Sequence, residues 1–154
     1  MMIKIIVLSG VILSILVQTT NSALTAGFTV HIINAPSNND IPFSVQCESK
    51  DDDLGLKTPK VGDDYNFSFR GNVLGTTRFY CHYSWGSKKQ FFDVFNSQMY
   101  QSRECGRIRE NIFLHTKHTL SGNDYECFWK VQDDGFYFAA HNSPESYTKK
   151  YEWN

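Results

Sequence analysis

Apolar and polar side chains alternate along seven short runs of the chain, and this pattern constrains the fold more than any other feature of the sequence. The runs are rich in β-branched and aromatic residues, and clusters of Gly, Asn, Asp or Pro end several of them. Alternation with a period of two places every second side chain on one face of a β-strand. The runs span residues 28–33, 43–47, 65–70, 79–85, 91–95, 125–131 and 136–138. We therefore predict an all-β chain, a small antiparallel β-sandwich of about seven strands, with a short helix allowed within 98–109.

The first 23 residues have the composition of a secretory signal peptide. Lys4 supplies a positive charge, residues 5–17 are almost wholly apolar, and residues 18–23 are small or polar. This order is typical of a cleavable signal, and the apolar stretch is shorter than the roughly 20 residues that cross a bilayer. We expect cleavage after Ala23, or alternatively after Ser22. The expected product is a secreted, extracellular domain of residues 24–154 that is joined by disulfide bonds.

The chain contains four cysteines, an even number that predicts two disulfides in a small exported domain. They are Cys47, Cys81, Cys105 and Cys127. No two of them are close enough in sequence to form the closely spaced cysteine pair of a structural zinc site. Four cysteines allow three connectivities, and the sequence does not choose among them. We favour Cys47 with Cys81 and Cys105 with Cys127.

The charge balance argues against nucleic acid as a partner. The chain has 15 Lys and Arg against 16 Asp and Glu, for a formal net charge of −1. A protein that binds nucleic acid by neutralising phosphates needs a positive field that this composition does not supply. Beyond the predicted signal, no run is long and apolar enough to span a membrane. We expect no nucleic-acid partner, no membrane insertion and a monomer.

Candidate catalytic and metal-binding residues are few. The consecutive Asp51, Asp52 and Asp53 could hold calcium, but they lack the spacing of a preformed calcium loop, so an exposed acidic turn is the favoured interpretation. His115 and His118 lack the glutamate of a His-Glu-x-x-His zinc motif. The sequence has neither a Gly-x-Ser-x-Gly nucleophile turn nor a glycine-rich phosphate loop, although paired carboxylates from distant strands stay open as a route to hydrolysis. We predict no enzymatic activity, no metal and no cofactor.

Two further features concern the surface. Asn66 begins the N-glycosylation sequon Asn-Phe-Ser, and the alternation directs it toward solvent, opposite Tyr65 and Phe67. A glycoprotein is therefore predicted, and an unoccupied sequon within a strand is the alternative. The 3 Trp, 8 Tyr and 12 Phe residues could also supply a platform for stacking carbohydrate, although the period of two assigns most of these rings to the core.

Several motifs resemble the plant self-incompatibility S-protein family, whose members are also called S-protein homologues. The most specific is Cys47-x-Ser49-x-Asp51-Asp52-Asp53-Leu54-Gly55. The others are Val30-x-Ile32-x-Asn34, Phe67-x-Phe69, Thr77-x-Phe79-x-Cys81, Trp85, Phe92-Asp93-Val94-Phe95 and Cys127-x-Trp129-x-Val131-x-x-Asp134-Gly135. Their order and approximate spacing resemble those of the family along nearly the whole mature chain.

The resemblance implies a small secreted β-sandwich that signals and is not an enzyme. Family members with an assigned role are secreted ligands in self-incompatibility, the rejection of self pollen, and act through a membrane receptor. We therefore expect a plasma-membrane receptor protein as the partner; a secreted, lectin-like carbohydrate-binding module is the alternative. Loops can vary without loss of core burial, so residues 51–54, 86–89 and 106–123 are candidate contact loops. Exposure and charge favour as contact residues Asp51, Asp52, Asp53, Leu54, Lys88 and Lys89.

Overall fold

Ten strands and one short α-helix make up the part of the chain that the structure describes. The computed structural model describes residues 26–37, 39–108 and 124–154. The predicted signal peptide, both histidines of the candidate metal pair and most of the candidate loop 106–123 lie outside these residues. The strands are β1 (Gly27–Asn34), β2 (Phe43–Glu48), β3 (Asp53–Lys57), β4 (Asp64–Arg70), β5 (Arg78–Trp85), β6 (Lys88–Asn96), β7 (Gly106–Arg107), β8 (Asp124–Gln132), β9 (Gly135–Ala139) and β10 (Thr148–Tyr151). The helix α1 (Ser97–Gln101) follows β6, and a 3-10 turn (Pro144–Ser146) precedes β10.

The strands form two sheets. Sheet A has the order β10-β9-β8-β1-β4, with β7 paired to β8, and sheet B has the order β3-β2-β5-β6. The prediction of an all-β sandwich is confirmed. Two details differ within the described residues, since there are ten strands instead of about seven, and β1 pairs with β8 in parallel. A parallel pair needs a long crossover, and all four strands of sheet B lie between β1 and β8 in the sequence.

The core lies between the two sheets and is rich in aromatic rings. Val94 and Phe95 of β6 and Phe136 of β9 are at most 1% exposed. The ring of Trp129 in β8 lies 4.8 Å from the ring of Phe92 in β6. Its indole N–H donates a hydrogen bond to the carbonyl of Val94 at 2.9 Å, so one side chain of sheet A packs against sheet B and also satisfies its backbone.

Each disulfide lies within one sheet. Cys47 of β2 is bonded to Cys81 of β5, and the two residues face each other in the strand register with their Cα atoms 4.1 Å apart. Cys105, the residue before β7, is bonded to Cys127 of β8. These are the pairs favoured from the sequence. All four cysteines are at most 4% exposed.

The short helix begins with a side-chain cap. The amide oxygen of Asn96 accepts a hydrogen bond from the N–H of Met99 at 3.1 Å, and Met99 is buried. This cap satisfies one of the backbone donors that the first turn of a helix leaves unpaired. In the described part of the chain, no helix has the length and hydrophobicity that crossing a membrane requires.

Candidate functional site

The contact residues predicted from the sequence lie at opposite ends of sheet B. Strands β2 and β5 are antiparallel, so the turn 49–52 after β2 lies beside the start of β5, whereas the turn 86–87 follows the end of β5. The candidate aspartates belong to the first turn and the start of β3, and the candidate lysines follow the second turn. The loop 71–77 leads into the start of β5 and therefore lies at the same end as turn 49–52. We call the end of sheet B that carries the turn 49–52 and the loop 71–77 the loop end. The acidic candidates lie at the loop end and the lysines at the opposite end, so the structure does not bring the two groups together.

The acidic turn is ordered by its own polar groups. The hydroxyl of Ser49 accepts hydrogen bonds from the N–H groups of Asp51 and Asp52, at 3.2 and 3.0 Å. The carboxylate of Asp53 accepts a hydrogen bond from the N–H of Gly55 at 2.9 Å, and this bond stabilises the backbone at the start of β3. Leu54 is partly buried against the core. Asp51, Asp52 and Asp53 are exposed.

The two candidate lysines lie in a strand, so the prediction that residues 88 and 89 form a turn is wrong. The turn is confined to residues 86–87, and β6 begins at Lys88 because Trp85 and Lys88 already pair in the β5–β6 register. The Lys88 ammonium donates to the carbonyl of Asp133 at 2.8 Å and lies 4.6 Å from the centre of the Trp85 ring. Lys88 thus ties the end of sheet B to the β8–β9 turn of sheet A.

The loop 71–77 carries the most exposed large apolar side chains in the described part of the chain. It was not among the contact loops predicted from the sequence. Val73 is 78% exposed and Leu74 is 86% exposed. The Asn72 carbonyl accepts from the N–H of Gly75 at 3.1 Å, and the Asn72 side chain bonds both the N–H and the hydroxyl of Thr76, at 2.8 and 2.6 Å. Gly75 has a φ of +66°, which glycine adopts without strain. The sequence feature that could have identified this exposed turn is the Asn-x-x-Gly spacing of Asn72 and Gly75, which is typical of a turn and here encloses two apolar residues.

A hollow of about 240 Å³ lies beside this loop. Phe28, Phe95 and Tyr100 contribute aromatic surface to it, and backbone and side-chain atoms of the loop form one wall. Tyr100 is 38% exposed, so part of this aromatic surface is open to solvent. The loop end therefore presents an apolar tip, an adjoining apolar hollow and an acidic turn.

The outer face of sheet A carries a histidine between two carboxylates. The Nδ1 atom of His31 lies 2.7 Å from Asp64, its Nε2 atom lies 3.6 Å from Glu126, and its ring stacks on Phe128 with centroids 4.4 Å apart. Burial of the ring opposes protonation, but the interactions with Glu126 and Asp64 outweigh it, and the pKa of His31 is raised above its usual 6.5. This arrangement favours the imidazolium form and ties β4 and β8 to β1.

Asn66 lies on the same outer face, in the edge strand β4. Its side chain is exposed, and it alternates with the half-buried Tyr65 and Phe67, which is the orientation predicted from the sequence. It faces His31 in the β1–β4 register, away from the loop end. Among the described residues, no group of three or more His, Cys, Asp or Glu side chains is arranged to hold a metal ion.

These features define a small, disulfide-linked β-sandwich in which, among the described residues, the two most exposed large apolar side chains lie at the same end as an acidic turn. A family model described as plant self-incompatibility protein S1 matches residues 29–153, and the chain belongs to that family. The resemblance inferred from the motifs is therefore confirmed. The family consists of S-protein homologues, and the names of the relatives below do not describe enzymes.

Three relatives illustrate the relationship. S-protein homolog 3 of Arabidopsis thaliana is 27% identical over 114 residues, which cover 74% of this chain and 65% of that protein. Self-incompatibility protein S1 of Papaver rhoeas is 32% identical over 108 residues, covering 70% of this chain and 65% of that protein. S-protein homolog 21 of Arabidopsis thaliana is 35% identical over 116 residues, covering 75% of this chain and 74% of that protein. The match thus spans slightly less than two thirds of the length of the first two relatives.

A solved structure supports the fold. It is that of an SPH (self-incompatibility protein homologue) protein, from a widespread family described as small, highly stable, secreted proteins from plants. The similarity has a TM-score of 0.55 at 16% sequence identity and covers 85% of this chain and 97% of that one.

Proposed function

We propose that this protein is a secreted ligand for cell–cell recognition in plants, bound by a receptor protein in the plasma membrane, as in self-incompatibility. Membership of the family supports the proposal, and one relative is a self-incompatibility protein of Papaver rhoeas. The secretory signal predicted at residues 1–23 fits an extracellular ligand. The absence of a catalytic motif from the sequence also favours a protein that acts by binding.

The observation that carries the proposal is the apolar tip formed by Val73 and Leu74. The side chains of these residues are largely exposed on a turn that Asn72 and Thr76 hold in one conformation. A partner that covers them gains about 25 cal/mol for each Å² of apolar surface removed from water. Because the turn is already ordered, little conformational entropy is lost when the partner binds.

The acidic turn lies at the same end and suits the rim of such an interface. Protein interfaces commonly combine an apolar centre with a polar rim that influences specificity and association rate more than affinity. We therefore assign direct contact to Val73 and Leu74, with Asp51 and Asp52 at the rim. In this proposal Asp53 and Lys88 support the local structure through bonds to backbone groups, and Leu54 supports it through its contact with the core.

The test is saturable binding of the labelled, oxidised protein to plant plasma-membrane preparations, followed by cross-linking to a membrane protein. The double variant Val73→Ser with Leu74→Ser should weaken binding at least about tenfold, because central apolar contacts dominate interface energies. Asp51→Ala should weaken it less and should slow association more than it speeds dissociation.

The matched control is Leu56→Ser, since Leu56 is 65% exposed but lies on the outer face of sheet B. This variant should bind the membrane protein like the wild type. Equal binding by the Val73→Ser, Leu74→Ser variant and the wild type would exclude the apolar tip as the contact site for the membrane protein. Failure of the wild type to bind any membrane protein would exclude the receptor proposal as a whole.

We also propose that Asn66 carries an N-linked glycan. Its exposed position in an edge strand supports the proposal, and a glycan there would shield a strand edge that otherwise invites pairing with another chain. Digestion of the secreted protein with a glycosidase should lower its mass, and Asn66→Gln should abolish that shift.

A further inference from the structure

The outer face of sheet B carries a row of four side chains that crosses all four strands. Leu56 of β3 faces Gln46 of β2, Gln46 faces His82 of β5, and His82 faces Phe91 of β6. We call this the transverse row. Neighbouring strands lie about 4.8 Å apart, so a row across four strands is about 14 Å long. A shallow groove of about 610 Å³ follows it.

The two ends of the transverse row are apolar and open to solvent. Leu56 is 65% exposed and Phe91 is 48% exposed. The Phe91 ring is held in place by its neighbours, with the His82 ring centre at 4.5 Å and the Tyr80 ring at 5.4 Å in an edge arrangement. The sequence pattern did not reveal this exposed aromatic surface, because Phe91 and Phe92 are consecutive aromatic residues and the pattern alone does not show which of them faces solvent.

Polar side chains flank the transverse row on both sides. One flanking row contains hydroxyl and ammonium groups, from Ser44, Ser84 and Lys89. The other contains carboxylates and a phenol, from Asp53, Glu48, Tyr80 and Asp93. The groove therefore offers rings and aliphatic carbons along its length, and the Ser44, Ser84 and Lys89 row lines one side of it. The carboxylate row lies next to the transverse row on the other side, beyond the lining of the groove.

We propose that this face of sheet B binds a short segment of a neutral oligosaccharide, laid across the strands along the transverse row. A sugar ring has an apolar C–H face, which packs on an aromatic ring, and hydroxyls around its edge, which need donors and acceptors on both sides. Carboxylates accept hydrogen bonds from hydroxyls strongly and require no opposite charge from the ligand. The row of Glu48, Asp53 and Asp93 would repel an acidic sugar.

A protein partner suits this face less well. It would have to remove the three carboxylates from water, and burying a carboxylate is costly unless it is paired. Arg78 pairs with Asp93 at 2.7 Å, and His82 lies 3.5 Å from Glu48. A protein that covered these pairs would still have to remove both charges of each pair from water, and the attraction within a pair often does not repay that cost. A hydroxyl-rich ligand leaves these pairs in place and leaves the carboxylate edges open to water or to its own hydroxyls.

The test measures binding of the secreted, oxidised protein to soluble oligosaccharides by NMR titration and calorimetry. The neutral probes are cellohexaose, mannohexaose and a xyloglucan heptasaccharide, and the acidic probe is hexagalacturonate. We expect at least one neutral probe to bind and to shift the ring resonances of Phe91 and His82. Phe91→Ala should weaken that binding about tenfold, the size expected for loss of a well-packed ring contact.

A matched pair of leucines distinguishes this site from the loop end. Leu56→Ser should weaken oligosaccharide binding, whereas Leu74→Ser, which removes a still more exposed leucine at the loop end, should leave it unchanged. The proposal is overturned if no neutral probe binds, if only hexagalacturonate binds, or if Phe91→Ala and Leu74→Ser have equal effects. It is also overturned if Phe91→Ala abolishes binding to the membrane protein while no neutral probe binds, since the face would then contact a protein.

Discussion

His31 shows how a single residue can link three strands through its charge. The residue lies in β1, and its carboxylate neighbours Asp64 and Glu126 lie in β4 and β8, the two strands that flank β1. The raised pKa means that the folded protein binds a proton at His31 more tightly than the unfolded chain does. Protonation of His31 therefore stabilises the fold.

The stability of the protein should fall as pH rises because of this residue. The contribution of His31 is fully present below the unfolded pKa of about 6.5 and is lost as pH rises through the higher folded value. We expect the free energy of unfolding in urea to decrease as pH rises above about 6.5, and His31→Gln should remove much of this decrease. His82→Gln is the control and should retain it. A pH profile of His31→Gln that matches the wild type would contradict the assignment.

Charged residues at the surface also serve the local backbone. The candidate contact residues Asp53 and Lys88 each bond a backbone group of the protein: the first holds the start of β3 and the second reaches the β8–β9 turn. A charge in an exposed position is equally suited to pairing with a backbone group nearby. The two most exposed large apolar side chains at the loop end, Val73 and Leu74, are uncharged.

At the scale of an element, the end of α1 is strained at one residue. Arg103 has a φ of +58°, a left-handed conformation that glycine normally occupies after a helix. The N–H of Arg103 donates to the carbonyl of Tyr100 at 3.1 Å, and the N–H of Glu104 donates to that of Met99 at 3.0 Å. These two bonds close the helix and require the left-handed residue between them.

Arg103→Gly should therefore stabilise the protein. A non-glycine residue in this conformation costs of order 1–3 kcal/mol, and the greater freedom of glycine in the unfolded chain offsets about 0.4–1 kcal/mol of the relief. We therefore expect the free energy of unfolding in guanidinium chloride to increase by about 0.5–1 kcal/mol. Arg103→Ala is the control, because it removes the side chain and keeps the strain, and it should give no such increase. If both variants were less stable than the wild type, the Arg103 side chain would contribute more than its strain costs.

The sequence predicted the strands whose side chains alternate, and it failed where alternation was absent. All seven predicted runs are strands, but β3, β7 and β10 were missed. Strand β7 has two residues, and all four residues of β10 are exposed. Such segments become strands because a neighbouring strand offers unpaired backbone groups, and a local pattern does not contain that information.

The candidate site was harder to predict for a related reason. Whether the acidic turn and the lysines of residues 88 and 89 lie together depends on the register of β2 on β5, which follows from packing of distant residues. The transverse row depends in the same way on three strand registers. The orientation of Asn66, by contrast, depends only on alternation within β4, and it was predicted correctly.

At the scale of the whole molecule, the two layers are held together by packing across the core. Cys47–Cys81 lies within sheet B and Cys105–Cys127 within sheet A, so neither disulfide joins the sheets. The contact between layers is made by side chains such as Trp129, which is 2% exposed and bonds the Val94 carbonyl of the opposite sheet. Loss of a disulfide and loss of a core side chain should therefore have different effects on the packing of the two sheets.

Removing a disulfide should lower stability and leave the two layers packed. Replacing Cys47 and Cys81 by alanine should cost about 3–4 kcal/mol in the free energy of unfolding, because the bridge restricts the unfolded chain. Trp129→Ala should cost a similar 3–5 kcal/mol, but through a cavity and an unpaired carbonyl between the sheets. Guanidinium unfolding measures both losses, and binding of a hydrophobic dye without denaturant separates them. We expect dye binding for Trp129→Ala only; dye binding by the disulfide variant would mean that the bridge, and not the core, keeps the layers together.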